Sequence, residues 1–99
     1  MNQMQQMLMN AQRMQRELQK AHAALAEKEF TVSKNGMVTL IMLGDRTVKS
    51  LEFDKDALDP ENADLLSETI TLALNEALET INEEYDEIEE RITGKTGLF

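Results

Sequence analysis

Three basic residues near the start of the chain, Arg13, Arg16 and Lys20, have a spacing that suits phosphate binding. An α-helix turns by about 100° per residue, so these positions fall within about 60° of one another on one helix face. Cations that share a face can contact successive phosphates of a polyanion. Three cations on the back of a helix are also commonly just solvated, and the pattern alone leaves both interpretations open. No aromatic residue lies on this face, which argues against stacking on the bases of single strands.

The charges are divided unequally along the chain. Residues 1–49 contain seven basic and four acidic residues, a net charge of +3, whereas residues 50–99 contain three basic and fifteen acidic residues, a net charge of −12. The second half therefore repels a polyanion, and only the first half can meet one. This asymmetry favours a directed electrostatic role for the first helix.

Other patterns that could hold a metal ion or a catalytic group are better explained as structure. The carboxylates of residues 83–90 surround every face of a helix except its apolar one, which is typical of a solvated helix. His22 is the only histidine, so neither a nucleophilic triad nor a histidine metal cluster is available. A phosphate-binding loop ending at Gly94 would need glycine where Glu89 stands. We expect no catalytic residue, no metal site, no cofactor and no small-molecule substrate.

The basic face requires a long amphipathic helix to carry it. Good helix formers fill residues 2–28 without glycine or proline, and apolar residues recur every three or four positions on the side opposite the cations. The methionines at the start of this helix could form an adaptable interaction surface or pack in a core. We call the apolar row the seam; it consists of Met4, Met7, Ala11, Met14, Leu18, Ala21 and Leu25.

Three strands and a second helical region are predicted to follow. Alternating residues from Phe30 and the hairpin signal Asn35-Gly36 predict two antiparallel strands, and the turn at Gly44 introduces a third. A slip in the apolar phase between Val48 and Leu51 indicates a bulge. Asp59-Pro60 predicts the start of one long helix, or of a pair broken near Asn75 or Asn82.

This order of elements predicts an α+β fold with helices on one face of a three-stranded antiparallel meander. We expect a single domain over 1–99, with a helical arm (1–28), a sheet (29–54), a C-terminal helix or helix pair (59–93) and a tail (94–99). The middle strand is apolar on both faces, so either a second subunit covers it or part of it stays exposed. We expect a homodimer whose interface contains Val38, Leu40 and Met42. The chain has no cysteine, no signal segment and no membrane-spanning run, so we expect it in the cytoplasm.

Several stretches, in this order, resemble a known family. They are Ala11-Gln12-Arg13-Met14-Gln15, Gly36-Met37-Val38-Thr39-Leu40, Leu43-Gly44, Val48-Lys49-Ser50-Leu51-Glu52-Phe53-Asp54, Asp64-Leu65-Leu66-Ser67-Glu68 and Ala73-Leu74-Asn75-Glu76-Ala77. Between about Met4 and Glu84 the chain resembles the YbaB/EbfC family of small bacterial nucleoid-associated proteins. It departs from the family at Lys34-Asn35, where members are usually glycine-rich, and lacks the proline-glycine tail.

The resemblance implies an α-β-β-β-α subunit that dimerises through its sheets and projects helical arms like tweezers. It also implies a non-enzymatic protein of the nucleoid that binds duplex DNA with relaxed sequence preference and alters its shape. The family's basic arm positions correspond best to Arg13, Arg16 and Lys20. The alternative is a protein-interaction adaptor that grips a partner with its methionine-rich tip and repels nucleic acid with its acidic half.

Overall fold

The computed structural model describes residues 2–94 and confirms the α+β fold with the order α-β-β-β-α. The strands form one antiparallel sheet in the order β1-β2-β3. Of the predicted tail, residues 95–99 lie outside the described residues. The elements are α1 (Gln3–Glu27), β1 (Glu29–Lys34), β2 (Val38–Leu43), β3 (Val48–Phe53), two 3-10 turns (Lys55–Leu58 and Pro60–Asn62) and α2 (Ala63–Thr93).

A capping box starts α1. The side chain of Asn2 accepts a hydrogen bond from the backbone N–H of Gln5 at 2.8 Å, and the Gln5 side chain accepts one from the Asn2 N–H. Two of the backbone donors that an α-helix leaves unpaired at its start are satisfied in this way. The helix therefore begins firmly at Gln3 although little else packs around its first turns.

The sheet has the predicted hairpin and the predicted irregularity. Asn35 and Gly36 both have positive φ, 55° and 64°, as the tight turn between β1 and β2 requires. The Asn35 amide also donates to the buried hydroxyl of Thr69 in α2 at 3.2 Å. Between β2 and β3 the register shifts so that Lys49 has no partner on β2, which is the bulge that the apolar phase predicts.

The second helix begins later than Asp59-Pro60 predicts. The Asp59 side chain accepts from the Glu61 N–H at 2.9 Å and caps a 3-10 turn, with Pro60 in its first position. α2 then starts at Ala63 and continues for 31 residues with no break at Asn75 or Asn82. One rigid helix therefore carries the whole acidic segment.

The core lies between α2 and the sheet. Ala73 and Ala77 are fully buried, and their small side chains allow α2 to lie close to Leu40 and Met42 of β2. Close packing of this kind makes the free energy of unfolding sensitive to single methylene groups. The buried cluster consists of Leu25, Phe30, Leu40, Met42, Ala73, Ala77, Ile81 and Ile88.

The turn between β2 and β3 fixes the end of α1 against the sheet. The N–H of Gly44 donates to the Lys28 carbonyl at 2.9 Å, and the N–H of Asp45 donates to the Ala26 carbonyl at 3.2 Å. A Cβ atom on Gly44 would lie 1.7 Å from the carbonyl oxygen of Leu25. Only glycine permits this approach between two backbones, because an atom 1.7 Å from a backbone oxygen would overlap it.

α2 holds the same turn from its other side. The Tyr85 hydroxyl donates to the Gly44 carbonyl at 3.1 Å. The Arg46 guanidinium donates to the Asn82 side-chain oxygen at 2.7 Å and lies 4.7 Å from the centre of the Tyr85 ring. One turn therefore joins α1, α2 and the sheet.

A hydrogen-bonded carboxylate shapes this turn locally. The Thr47 hydroxyl and the Thr47 backbone N–H both donate to Asp45, and together they hold the pKa of that carboxyl below its ordinary value of 3.8. Because the pKa is lowered on folding, this stabilisation is present above the unfolded pKa and is lost as the pH falls through the folded one.

We predict that Gly44→Ala lowers the free energy of unfolding by about 3 kcal/mol, because the new Cβ overlaps a backbone oxygen that cannot turn away. Gly36→Ala is the matched control. No atom lies within 4 Å of its Cβ position, so only the positive φ opposes the change, at about 1 kcal/mol. Urea unfolding followed by circular dichroism measures both variants. Equal losses would show that Gly44 matters only for its conformation.

Candidate nucleic-acid interface

The first half of α1 extends beyond the rest of residues 2–94 as an arm. Ile92, near the end of α2, packs at the margin of the core with Leu18 and Ala21 of α1. Every residue from Asn2 to Arg13 is exposed. At a rise of about 1.5 Å per residue, this uncovered part of the helix is roughly 16 Å long. It contributes to the 71 Å length of a subunit that is only 22 Å by 13 Å across.

Arg13, Arg16 and Lys20, which we call the basic triplet, are all exposed on α1. None of the three takes part in an ion pair with another residue in the range 2–94. Other basic side chains there do have carboxylate partners, with nitrogen–oxygen distances of 2.6 Å in Lys28–Glu84 and 2.9 Å in Lys34–Glu76. The cations of the basic triplet are therefore available to a partner outside the subunit.

The acidic helix meets α1 on the side away from the basic triplet. α2 contains ten acidic residues and one basic residue. His22 Nε2 lies 3.1 Å from a carboxylate oxygen of Glu89, and Lys28 Nζ lies 2.6 Å from one of Glu84. His22 and Lys28 flank the seam, so the carboxylates approach α1 from the seam side. A polyanion is accordingly repelled from that side and attracted to the opposite one.

The three residues predicted at the dimer interface are buried within the subunit. Val38, Leu40 and Met42 are almost wholly enclosed within a single subunit, because α2 covers their face of the sheet. That they contact a second subunit stays a prediction. On the other face of β2, Ile41 and Leu43 are only half-buried.

Another apolar surface remains uncovered on the third strand. α2 packs on β1 and β2 rather than on β3. Val48 and Phe53 are 48% and 41% exposed, although they share a face with the buried residues of β2. Glu76 is paired to β1, so its side of α2 faces that strand. Leu74 and Leu78 lie on the other side of α2 and border this surface. We call Val48, Leu51, Phe53, Leu74 and Leu78 the β3 strip.

The alternating pattern of the β3 residues predicts their strand but not their exposure. Alternation shows which side chains share a face, and it does not show which strands a helix will cover. The signal that bears on coverage is the spacing of Ala73 and Ala77, since small residues mark where α2 lies nearest to a strand.

Two structural features bear on other kinds of site. In the part of the chain that the structure describes, no three His, Asp or Glu side chains are grouped so that they could hold a metal ion. Neither α1 nor α2 is long and apolar enough to cross a membrane.

A family model described as the YbaB/EbfC DNA-binding family matches residues 1–96. The chain belongs to this family. Its YbaB/EbfC relatives include a nucleoid-associated protein of Metamycoplasma arthritidis, 42% identical over 82 residues, which are 83% of this chain and 85% of the relative. A nucleoid-associated protein of Enterococcus faecalis is 44% identical over 85 residues, covering 85% of this chain and 82% of the relative. One of Mycoplasmopsis pulmonis is 41% identical over 86 residues, covering 87% and 85%.

The geometry of this YbaB/EbfC chain predicts that the basic triplet is dispensable for folding. Replacing Arg13, Arg16 and Lys20 together by Ala should change the free energy of unfolding by less than about 0.5 kcal/mol per site, because exposed, unpaired side chains stabilise little. Alanine also favours helix. Urea unfolding and far-UV circular dichroism test this, and a loss of helix content would show that the triplet is structural.

Proposed function

We propose that this protein is a non-enzymatic, nucleoid-associated protein that binds duplex DNA through the basic triplet of α1. The observation that carries the proposal is the presence of three exposed cations, unpaired within residues 2–94, on one face of a projecting helix. Membership of a DNA-binding family and the names of the relatives support it. The protein then lies in the cytoplasm, on the nucleoid.

Contacts of this kind give affinity with relaxed sequence preference. Arginine and lysine side chains that neutralise phosphates fix the position of a protein on the duplex without reading base edges. Within α1 the triplet is accompanied by uncharged polar side chains such as Gln12 and Gln19, which can donate hydrogen bonds to the same backbone. We therefore propose that phosphate contacts supply most of the affinity.

We also propose a homodimer formed through the β3 strip. Its side chains lie beside the core and are partly uncovered, so a second copy would remove them from water at about 25 cal/mol for each Å² of apolar surface. A two-fold contact suits a single patch that is complementary to itself. The dimer would present two basic triplets.

Two firmly held arms provide a means of changing DNA shape. α1 is fixed to the sheet by backbone hydrogen bonds at its C-terminal end, so its direction is part of the fold. A duplex that contacts both arms of a dimer then adapts to their separation, at a deformation energy that depends on how far it must bend.

A protein-interaction adaptor is the second candidate function. The observation that favours it is the exposure of Met4, Met7 and Leu8 at the tip of α1. Adaptable methionine side chains suit a partner's apolar groove. A gel shift with two unrelated duplexes of equal length separates the candidates, because an adaptor of this kind would bind neither duplex.

We predict that the triple change Arg13→Ala, Arg16→Ala and Lys20→Ala weakens duplex binding at least tenfold. The matched control is Lys34→Ala, Lys49→Ala and Lys55→Ala, which removes the same three charges from the sheet end of the subunit. Because only the first variant loses cations from the arm, the control should stay within about threefold of the wild type. Fluorescence anisotropy with labelled duplexes measures both affinities. Equal weakening of the two variants would show that net charge matters and the arm does not.

The salt dependence of binding provides a separate prediction. Six arm cations in a dimer, at about −0.9 for each neutralised phosphate, limit the slope of log affinity against log salt to about −5. Titrations at several salt concentrations with AT-rich and GC-rich duplexes should give similar slopes. A slope near zero, or hundredfold preference for one sequence, would instead indicate base readout or apolar contact.

We predict that Val48→Lys with Phe53→Lys converts the dimer to a monomer, because each subunit would bury two ammonium groups in the interface. The control is Leu65→Lys with Leu72→Lys, a pair about equally exposed but on the outer side of α2. Sedimentation velocity at micromolar concentration should show a monomer for the first variant and a dimer for the second. A monomeric wild type, or loss of the dimer only in the control, would contradict the proposed interface.

A further inference from the structure

The tip of α1 carries half of an apolar seam that has no partner among residues 2–94 of the subunit. Met4 and Met7 are 78% and 70% exposed, and Ala11 is exposed as well. The same seam is covered from Leu18 onward, where α2 packs against it. Between these two parts lies a groove of about 630 Å³, bordered by Met7, Met14 and Ile92 among others. The seam therefore continues beyond the helix that covers it.

The absence of charge at the tip suits contact with a second copy of the same helix. Residues 2–12 include no charged side chain, whereas the whole chain has a net charge of −9. Two such segments can approach each other without the repulsion that opposes contact between other parts of two subunits. An acidic or basic partner would find no complementary charge on this part of the helix.

The spacing of the seam gives one antiparallel register that uses the uncovered positions. In antiparallel helix pairs, successive seam residues of one helix face those of the other in reverse order. Placing Met7 opposite Ala11 of the second copy also places Met4 opposite Met14, so a large side chain meets a small one at the centre. A longer overlap would require Leu18 and Ala21, which already pack on the core.

The same register brings opposite helix ends together. The start of the second copy's α1 would lie beside Met14, next to the described end of α2 near Ile92. The N-terminus of a helix is electropositive and the C-terminus electronegative. The first turn of α1 has no acidic residue to oppose this contact, and Glu87 and Glu90 lie in the last turns of α2.

We infer that two copies of this protein associate tip to tip, through an antiparallel pairing of residues 4–14 of α1. Arg16 and Lys20 lie outside the paired segment and on the opposite face of the helix, so this contact leaves them free; Arg13 borders the groove. The contact is also separate from the β3 strip, which lies at the sheet. Self-association of the tips therefore does not depend on DNA binding.

Cysteine crosslinking tests the pairing directly, because the wild-type chain has no cysteine. Met7→Cys and Ala11→Cys proteins are prepared separately and oxidised alone or as a mixture, without DNA. The mixture should form disulfide-linked chains at least tenfold faster than either protein alone, because positions 7 and 11 face each other and neither faces itself. Equal rates in all three samples would overturn the register.

Met9 supplies the matched control for the face of the helix. It lies in the same uncovered segment, is 51% exposed and points away from the seam. Met9→Cys should therefore crosslink no faster than a random encounter allows. In sedimentation experiments, the mass of the Met7→Gln protein should stay at that of the smallest species as its concentration rises. The mass of the Met9→Gln protein should increase with concentration. Crosslinking of Met9→Cys as fast as the mixture would overturn the proposal.

Two further samples distinguish tip pairing from DNA binding and from association through the C-terminal residues. The triple alanine variant of the basic triplet should self-associate like the wild type, so failure of DNA binding and failure of tip pairing are distinguishable. A chain ending at Gly94 should also associate like the full chain. Association that appears only in the shortened chain would show that residues 95–99 cover the seam, and it would overturn the pairing. A wild type whose mass does not increase with protein concentration up to about 100 µM would also overturn it.

Discussion

The contact between the β2–β3 turn and the end of α1 is the constraint on which the other features depend. Gly44 brings one backbone against another at Leu25, and the turn supplies hydrogen-bond donors to carbonyls at the helix end. Tyr85 and Arg46 add contacts from the turn to α2. Without this junction, only side-chain packing and ion pairs with α2 would hold α1, a long amphipathic helix that residues 2–94 cover over only half its length.

The two faces of α1 have different surroundings because of that junction. Once the helix direction is fixed, the seam must face α2 and the basic triplet must face solvent. The acidic residues of α2 then repel polyanions on one side only. The proposed DNA contact thus depends on packing at Leu25, which lies about 8 Å along the helix from Lys20 and about 18 Å from Arg13.

The extent to which the sequence predicts this structure differs between local and long-range features. The hairpin at Asn35-Gly36, the bulge near Lys49 and the periodicity of α1 depend on neighbouring residues, and the structure has all three. The predicted start of α2 is too early because Asp59-Pro60 caps a 3-10 turn with the same chemistry that caps an α-helix. The burial of Leu40 within the subunit could not be predicted from alternation, because both faces of β2 are apolar and the pattern does not show which of them α2 covers. The exposure of Phe53 could not be predicted either, because alternation does not show which strands α2 covers.

The thinness of the molecule has a consequence for how it would meet a polyanion. At 22 Å by 13 Å, the body is little more than two helices wide, and positive charge on α1 and negative charge on α2 lie on opposite sides of that width. Such an arrangement has a dipole component directed across the long axis. In the field of a nucleic acid the torque on this dipole rolls the subunit about its long axis before contact. Rolling about the long axis sweeps aside less solvent than turning end over end, so the rotation that orients the protein is also its fastest one.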